Sequence, residues 1–222
     1  MAKLIVEAHK RDLTVHFHAI GDGAVKCALD ALEIANQTVD ITKDRHAFTH
    51  LKCVRDEDIA RMGEFGIVAA ANPYWHAKNS DGKVDYDLMV KLFGDEVAQN
   101  EYPLKSYINA GSVTTFASDF PVSDIDPMKA FGLSVMRAMP GEDANDVLNP
   151  KERLTVNEAL QSLTLNGAYQ LGLENVNGSL EIGKEANLVL LSDDVTKIAP
   201  EKIFDVKIMR TIIDGETVFE AK

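Results

Sequence analysis

The sequence alternates short apolar runs with segments of helical periodicity, and this alternation constrains the fold more than any other feature. Strands are predicted over residues 13–18, 47–50, 67–71 and 113–117, and apolar residues recur at helical spacing in most of the segments between them. Strands that are joined by helices pair in parallel, because a helical crossover returns the chain to the same end of the sheet. The sequence therefore predicts an α/β fold with a parallel sheet or barrel.

Three of these runs end in side chains that bind metals. The first run ends at His16-Phe17-His18, the second at His50, and Asp119 follows the fourth. His16 and His18 are two residues apart, so they project from the same face of a strand. The C-terminal ends of parallel strands meet at one edge, and imidazole and carboxylate groups are common zinc ligands. These side chains are therefore candidate ligands of one metal site.

Each of these residues also has an ordinary structural interpretation. A His-x-His pair in a strand is often held by hydrogen bonds alone, and Asp119 would cap the turn after its strand. Asp22 would either cap the helix that follows it or orient a metal ligand from outside the ligand set. His46 shares a face with His50 and is placed at the mouth or the base of the strand. A carboxylate held at a strand exit also serves hydrolysis, because it takes and returns a proton there.

A polar segment over residues 74–87 has the composition of an active-site loop. It contains Trp75 and His76, which we interpret as candidate contacts to a small-molecule substrate. A different hypothesis makes the protein a non-catalytic parallel-sheet module that binds a small ligand with this loop. That hypothesis leaves the histidine and aspartate side chains at the strand ends without a role.

The pattern of apolar residues changes near residue 174. The later residues form short apolar runs separated by glycine and aspartate, and Asp214-Gly215 is a strong hairpin signal. Short strands are predicted at 178–184, 187–191, 206–213 and 218–219. We therefore predict two domains, an α/β part over residues 1–174 and a small all-β part over residues 175–222.

Charge and hydropathy limit the classes of partner and the cellular location that the sequence predicts. Asp and Glu total 35 against 23 Lys and Arg, a net charge of −12. This balance argues against nucleic acid or an anionic membrane surface as a partner. The sequence has no apolar run of the roughly 20 residues that a membrane helix needs and no apolar signal core, so a cytoplasmic location is predicted. Cys27 and Cys53 lack a paired spacing and are predicted to be free thiols.

Several motifs along nearly the whole chain carry a family resemblance. They are residues 18–22, 45–50, 66–73, 102–106, 111–121, Arg137 and 178–189. In this order they resemble the amidohydrolase superfamily, specifically amidohydrolase family 3 and its YtcJ-like branch. The resemblance implies a metal-dependent hydrolase for amide-type C–N bonds other than peptide bonds, with one or two divalent metals, usually zinc.

The resemblance also implies a fold and residue roles. The fold is a partial TIM-like (β/α) barrel, strands five to eight, followed by part of a small β-sandwich. His18 would be the metal ligand from strand five, His50 the ligand from strand six, and Asp119 the ligand from strand eight. Asp119 would also be the catalytic group that carries the proton during hydrolysis.

The sequence also departs from the family pattern at positions that bear on metal binding and activity. Family members have a His-x-His on the first barrel strand and a lysine on the fourth, and neither precedes His16 here. Residues 16–18 do not replace the first-strand pair, because the residues after them match the fifth strand. Asn72 stands where the family has glutamine, and Asn187 where it usually has aspartate. We therefore expect a C-terminal portion that binds metal weakly and is weakly active or inactive alone.

Four parallel strands leave two free edges where a closed barrel has none. This predicts a homodimer or association with a separate N-terminal half. The alternative is that helices and loops close over the edges. The alternative to a hydrolase is a non-catalytic chain, either a truncated product or a subunit that completes a split enzyme.

Overall fold

The chain forms two sheets with helices packed around the first. A computed structural model describes residues 1–79, 86–143 and 145–222. The first sheet contains β1 (His16–Ala19), β2 (Ala47–His50), β3 (Val68–Ala71) and β4 (Thr114–Phe116), which are parallel and adjacent in sequence order. The helices are α1 (Ala2–His9), α2 (Asp22–Asn36), α3 (Asp56–Glu64), α4 (Tyr86–Phe93), α5 (Asp95–Gln99), α6 (Leu104–Asn109), α7 (Pro127–Met136), α8 (Val156–Leu163) and α9 (Leu165–Gln170).

One face of the parallel sheet packs against the helices. Phe17 of β1 contacts Phe48 of β2 with ring centroids 5.1 Å apart, and Ala69 of β3 continues this buried row. Since successive side chains of a strand point to opposite faces, His16 and His18 lie on the other face. The register pairs His18 with Thr49 on that face. The sheet therefore separates an apolar side from a side that carries His16 and His18.

The helix α2 shows why these segments are helical. Val25, Leu29 and Leu32 recur at helical spacing and are fully buried against the core. Residues on the opposite face, such as Lys26 and Asp30, are exposed and pair with each other. The helix therefore buries one stripe against the sheet, as its sequence pattern predicts.

Two predictions about local structure need correction. The sequence predicts one helix over residues 156–171 with Thr155 as its N-cap. The structure has two helices there, α8 and α9, because the backbone of Thr164 (φ −122°, ψ −90°) leaves the helical region. The strand predicted at 178–184 forms turns, since Gly178 (φ 88°) and Gly183 (φ 99°) adopt left-handed conformations that break a strand. The capping role of Thr155 is confirmed, with its hydroxyl accepting from the Glu158 backbone N–H.

The second sheet is antiparallel and contains β5 (Leu188–Leu191), β6 (Ile208–Ile213) and β7 (Glu216–Glu220) in that order. The hairpin predicted at Asp214-Gly215 joins β6 to β7, and both residues have positive φ, 51° and 80°. The parallel sheet with its helices confirms the α/β class, and this second sheet is antiparallel. Ile203 and Val206 belong to the same apolar core as the first sheet.

Residues 80–85 of the predicted active-site loop lie outside the described residues. The helices α4 and α5, which follow this loop, were not predicted from the sequence. Among the helices that the structure describes, none combines the length and the apolar character needed to cross a membrane.

Candidate functional site

The structure brings His18 and His50 together at the C-terminal edge of the parallel sheet. Their ring centroids lie 4.3 Å apart and the ring planes are inclined at 74°. At this point β2 ends, because His50 (φ 72°) and Leu51 (φ 51°) leave the extended region for the left-handed one. Left-handed backbone at two successive non-glycine residues is uncommon and is concentrated at functional sites. Two imidazole donors thus share one place at the sheet edge.

His50 is held on two sides. Its Nδ1 atom lies 3.0 Å from Oδ1 of Asn72, which directly follows β3. The Asn72 Nδ2 group donates to the Ala117 carbonyl at 3.0 Å. The His50 ring also stacks on Trp75, with centroids 5.0 Å apart and planes 15° from parallel. These contacts fix the ring of His50 in the buried layer above the strand ends.

The surroundings of the histidines favour their neutral form. Burial lowers the pKa of His50, and the nearby His18 lowers it further, while Asn72 and the charge of Asp119 act in the opposite direction. Burial also lowers the pKa of His16. Neutral imidazole is the form that binds metals, because protonation removes the lone pair. The electrostatics of this edge are therefore compatible with imidazole ligands.

Asp119 lies on the loop after β4 and is exposed. Its backbone is left-handed (φ 58°), and its carbonyl accepts from the Val122 N–H at 2.8 Å, which closes a tight turn that contains the cis Phe120-Pro121 bond. Its negative charge acts to raise the pKa of His50, against the larger lowering by burial. Within the described ranges, no three His, Cys, Asp or Glu side chains lie close enough together to hold a metal ion. His18 and His50 fit two ligand positions there.

Trp75 and His76, the candidate substrate contacts, are packed inside the protein. Trp75 is 8% exposed, and its Nε1–H donates to the Ser123 hydroxyl at 2.7 Å. His76 is 1% exposed and stacks on Tyr102 with centroids 4.7 Å apart. In this structure Trp75 forms the wall against which His50 rests.

Two other predicted residues have structural partners. His46 directly precedes β2, at its base rather than its mouth, and its Nδ1 accepts from the Val15 N–H at 3.0 Å. The N-cap of α2 is Gly21, not Asp22. The Asp22 carboxylate instead pairs with Arg55 at 2.8 Å. The cysteines are free, as predicted.

Arg137 was named among the family motifs, but the sequence indicated no structural role for it. Arg137, which is fully buried, donates to the carbonyls of Leu148 (2.9 Å), Tyr102 (3.0 Å) and Glu101 (3.0 Å). Burial lowers the Arg137 pKa to about 10. Lys52, two residues beyond His50, lies 3.4 Å from the buried Glu101 carboxylate. In the sequence Arg137 directly follows the helix α7, a position that by itself does not indicate burial.

Comparison with known proteins places this arrangement in a family. The sequence model that describes the amidohydrolase family matches residues 1–219 of this chain. The chain belongs to the amidohydrolase family. This confirms the resemblance drawn from the ordered motifs, and it accounts for histidines at successive strand ends.

Relatives in the amidohydrolase family match nearly all of this chain. The N-substituted formamide deformylase of Arthrobacter pascens is 28% identical over 98% of the chain and 38% of its own length. The putative amidohydrolase YtcJ of Bacillus subtilis is 26% identical over 99% of the chain and 40% of its length. A solved structure of an uncharacterized metal-dependent hydrolase from Pyrococcus furiosus is 30% identical, with a TM-score of 0.63 over 83% of this chain and 35% of that one. The chain thus spans well under half of these relatives.

Proposed function

We propose that this chain forms the strand-five-to-eight part of a TIM-like barrel in a metal-dependent hydrolase. The enzyme would cleave C–N bonds other than peptide bonds in small molecules. The observation that carries this proposal is the contact between His18 and His50 at the C-terminal edge of a parallel sheet in an amidohydrolase-family chain. Active sites of parallel α/β barrels lie at this edge.

His18 and His50 would hold a divalent metal, and zinc suits two imidazole donors. Asp119 would be the third protein ligand and the group that moves the proton. A bound zinc would act as a Lewis acid on the scissile group. The exposed Asp119 carboxylate, whose charge acts to raise the pKa of His50, would take a proton from the attacking water and return it to the leaving nitrogen.

The substrate side of the site is proposed to include Trp75 and His76. Trp75 stacks on His50, so a molecule bound to the histidines would lie next to the indole. N-substituted formamides are the first substrates to test, because a relative that is 28% identical is named a deformylase of these compounds. The β-sandwich portion, residues 175–222, would support the barrel portion, residues 1–174, without contacting the substrate.

Zinc affinity tests the metal part of the proposal. With two imidazoles in contact and no third described donor beside them, we expect zinc to bind weakly in a competition titration against a chromogenic chelator. His18→Ala and His50→Ala are each expected to lower this affinity by at least about tenfold, since outer-sphere partners alone contribute 10–100-fold. His16→Ala is the matched control on the same strand and is expected to leave the affinity unchanged. Equal losses of affinity in all three variants would contradict the assignment of His18 and His50, and absence of zinc binding by the wild-type chain would favour a non-catalytic subunit.

Association tests the incomplete-barrel part. Within the described residues β1 pairs only with β2, and β4 only with β3, so each outer strand has one side without a strand partner. Unpaired edges recruit further strands. We therefore expect multi-angle light scattering at micromolar concentration to report a homodimer, or a complex when an N-terminal half is supplied. A monodisperse monomer under both conditions would argue against this part of the proposal.

A further inference from the structure

We infer that Asn72 is a positioning residue that holds His50 in the tautomer with the proton on Nδ1, which leaves the Nε2 lone pair free for a ligand. The relevance of this tautomer to zinc rests on the proposed function, whereas the tautomer itself does not. The inference follows from two hydrogen bonds of one side-chain amide.

The first step is the orientation of the amide. One end of the Asn72 side chain lies 3.0 Å from the carbonyl oxygen of Ala117. A carbonyl oxygen only accepts hydrogen bonds, so the NH₂ group must face it. The oxygen Oδ1 must then face His50. The orientation of this amide is thus fixed by the Ala117 carbonyl oxygen, which accepts hydrogen bonds but cannot donate them.

The second step is the tautomer of the imidazole. Oδ1 of Asn72 is an acceptor only, and it lies 3.0 Å from Nδ1 of His50. A hydrogen bond at this distance needs a proton on Nδ1. A neutral imidazole carries one N–H proton, so Nε2 is then an unprotonated acceptor. In metal sites the hydrogen bond on one ring nitrogen sets which nitrogen binds the metal.

The third step is the rigidity of the arrangement. Asn72 and His50 are 1% and 4% exposed, so water competes little for their hydrogen bonds. The indole of Trp75 prevents the ring of His50 from tilting away. Ala117 lies two residues before Asp119, so the amide of Asn72 also ties the end of β2 to the loop that carries the carboxylate. One side chain therefore links two of the candidate metal ligands.

The test is the tautomer of His50 in the metal-free, ¹⁵N-labelled chain at pH 8, read from long-range ¹H–¹⁵N correlations of the ring nitrogens. The His50 signals are assigned by their loss in His50→Gln. We expect the Nδ1–H form in the wild-type chain. In Asn72→Leu we expect a shift towards the Nε2–H form, which unconstrained histidine favours in water. Asn72→Asp keeps an acceptor facing Nδ1 and is expected to retain the Nδ1–H form.

The matched control is Asn166→Leu. The Asn166 amide also donates to a strand carbonyl, that of Thr114 at 2.9 Å, but it does not contact His50. This variant is expected to give the wild-type tautomer. Wild-type His50 in the Nε2–H form would overturn the inference, even if Asn72→Leu fails to fold. An unchanged tautomer in a folded Asn72→Leu chain would overturn it as well.

Zinc competition on the same variants separates this inference from the proposed function. Asn72→Leu is expected to bind zinc about 10–100-fold more weakly, the range found for partners that orient metal-binding histidines. Nδ1–H in a wild-type chain that binds no zinc would support the role of Asn72 and refute the metal function. Zinc binding by a wild-type chain in the Nε2–H form would support the metal function and refute the role of Asn72.

Discussion

Asp119→Asn is expected to lower kcat/KM for hydrolysis of an N-substituted formamide by about 10²- to 10⁴-fold, the contribution typical of a positioned proton carrier. The amide of asparagine keeps the size and the turn geometry of the side chain but neither takes nor returns a proton. The measurement compares zinc-loaded wild-type and variant chains under identical conditions. The ratio is informative even where the absolute activity of the wild-type chain is low.

The control for this prediction is Asp124→Asn on the same loop. The Asp124 carboxylate accepts from the backbone N–H groups of Ile125 (2.7 Å) and Asp126 (3.3 Å), a turn contact that the asparagine oxygen also makes. We expect unchanged kcat/KM for this variant. An Asp119→Asn chain as active as wild type would remove Asp119 from the chemistry. Efficient turnover by the isolated wild-type chain would contradict the expectation that it is weakly active.

Arg137→Met is expected to lower the free energy of unfolding by about 3 kcal/mol or more. The guanidinium donates to three buried carbonyls, and each carbonyl left unsatisfied costs at least about 1 kcal/mol. Methionine retains much of the length of the side chain, so the effect reports the lost donors rather than a cavity. Chemical denaturation followed by circular dichroism measures the difference.

Arg55→Met is the matched control for a surface arginine. Arg55 pairs with Asp22 in solvent, where ion pairs contribute little, so the denaturation midpoint is expected to stay near that of the wild-type chain. Arg137→Lys adds a graded test. It keeps the charge but loses the planar fork that reaches three carbonyls, and its stability is expected to lie between those of the wild type and Arg137→Met. A wild-type midpoint for Arg137→Met would refute the structural role.

Local sequence patterns predicted most of the regular structure. The strand at residues 47–50 was predicted at its observed bounds. Ile59, Met62 and Phe65 at helical spacing predict a helix over residues 56–65, and α3 differs from it by one residue. The break at Thr164 and the turns at Gly178 and Gly183 were not predicted. Apolar spacing continues across Thr164, and a glycine in an apolar run is compatible with both a strand and a turn.

The sequence by itself determined the α/β class, the family and the identity of the candidate ligands. Strand ends are recognised from a few neighbouring residues, and motif order is visible along the sequence without any structure. Only the tertiary structure decided which groups meet. Asn72 follows β3, yet it joins His50, the last residue of β2, to Ala117, which follows β4. Arg137 gathers carbonyls from residues up to 36 positions away in the chain. Such contacts join residues that are far apart in the sequence and meet only because parallel strands lie side by side in the sheet. A pattern of neighbouring residues does not specify which distant residues will meet.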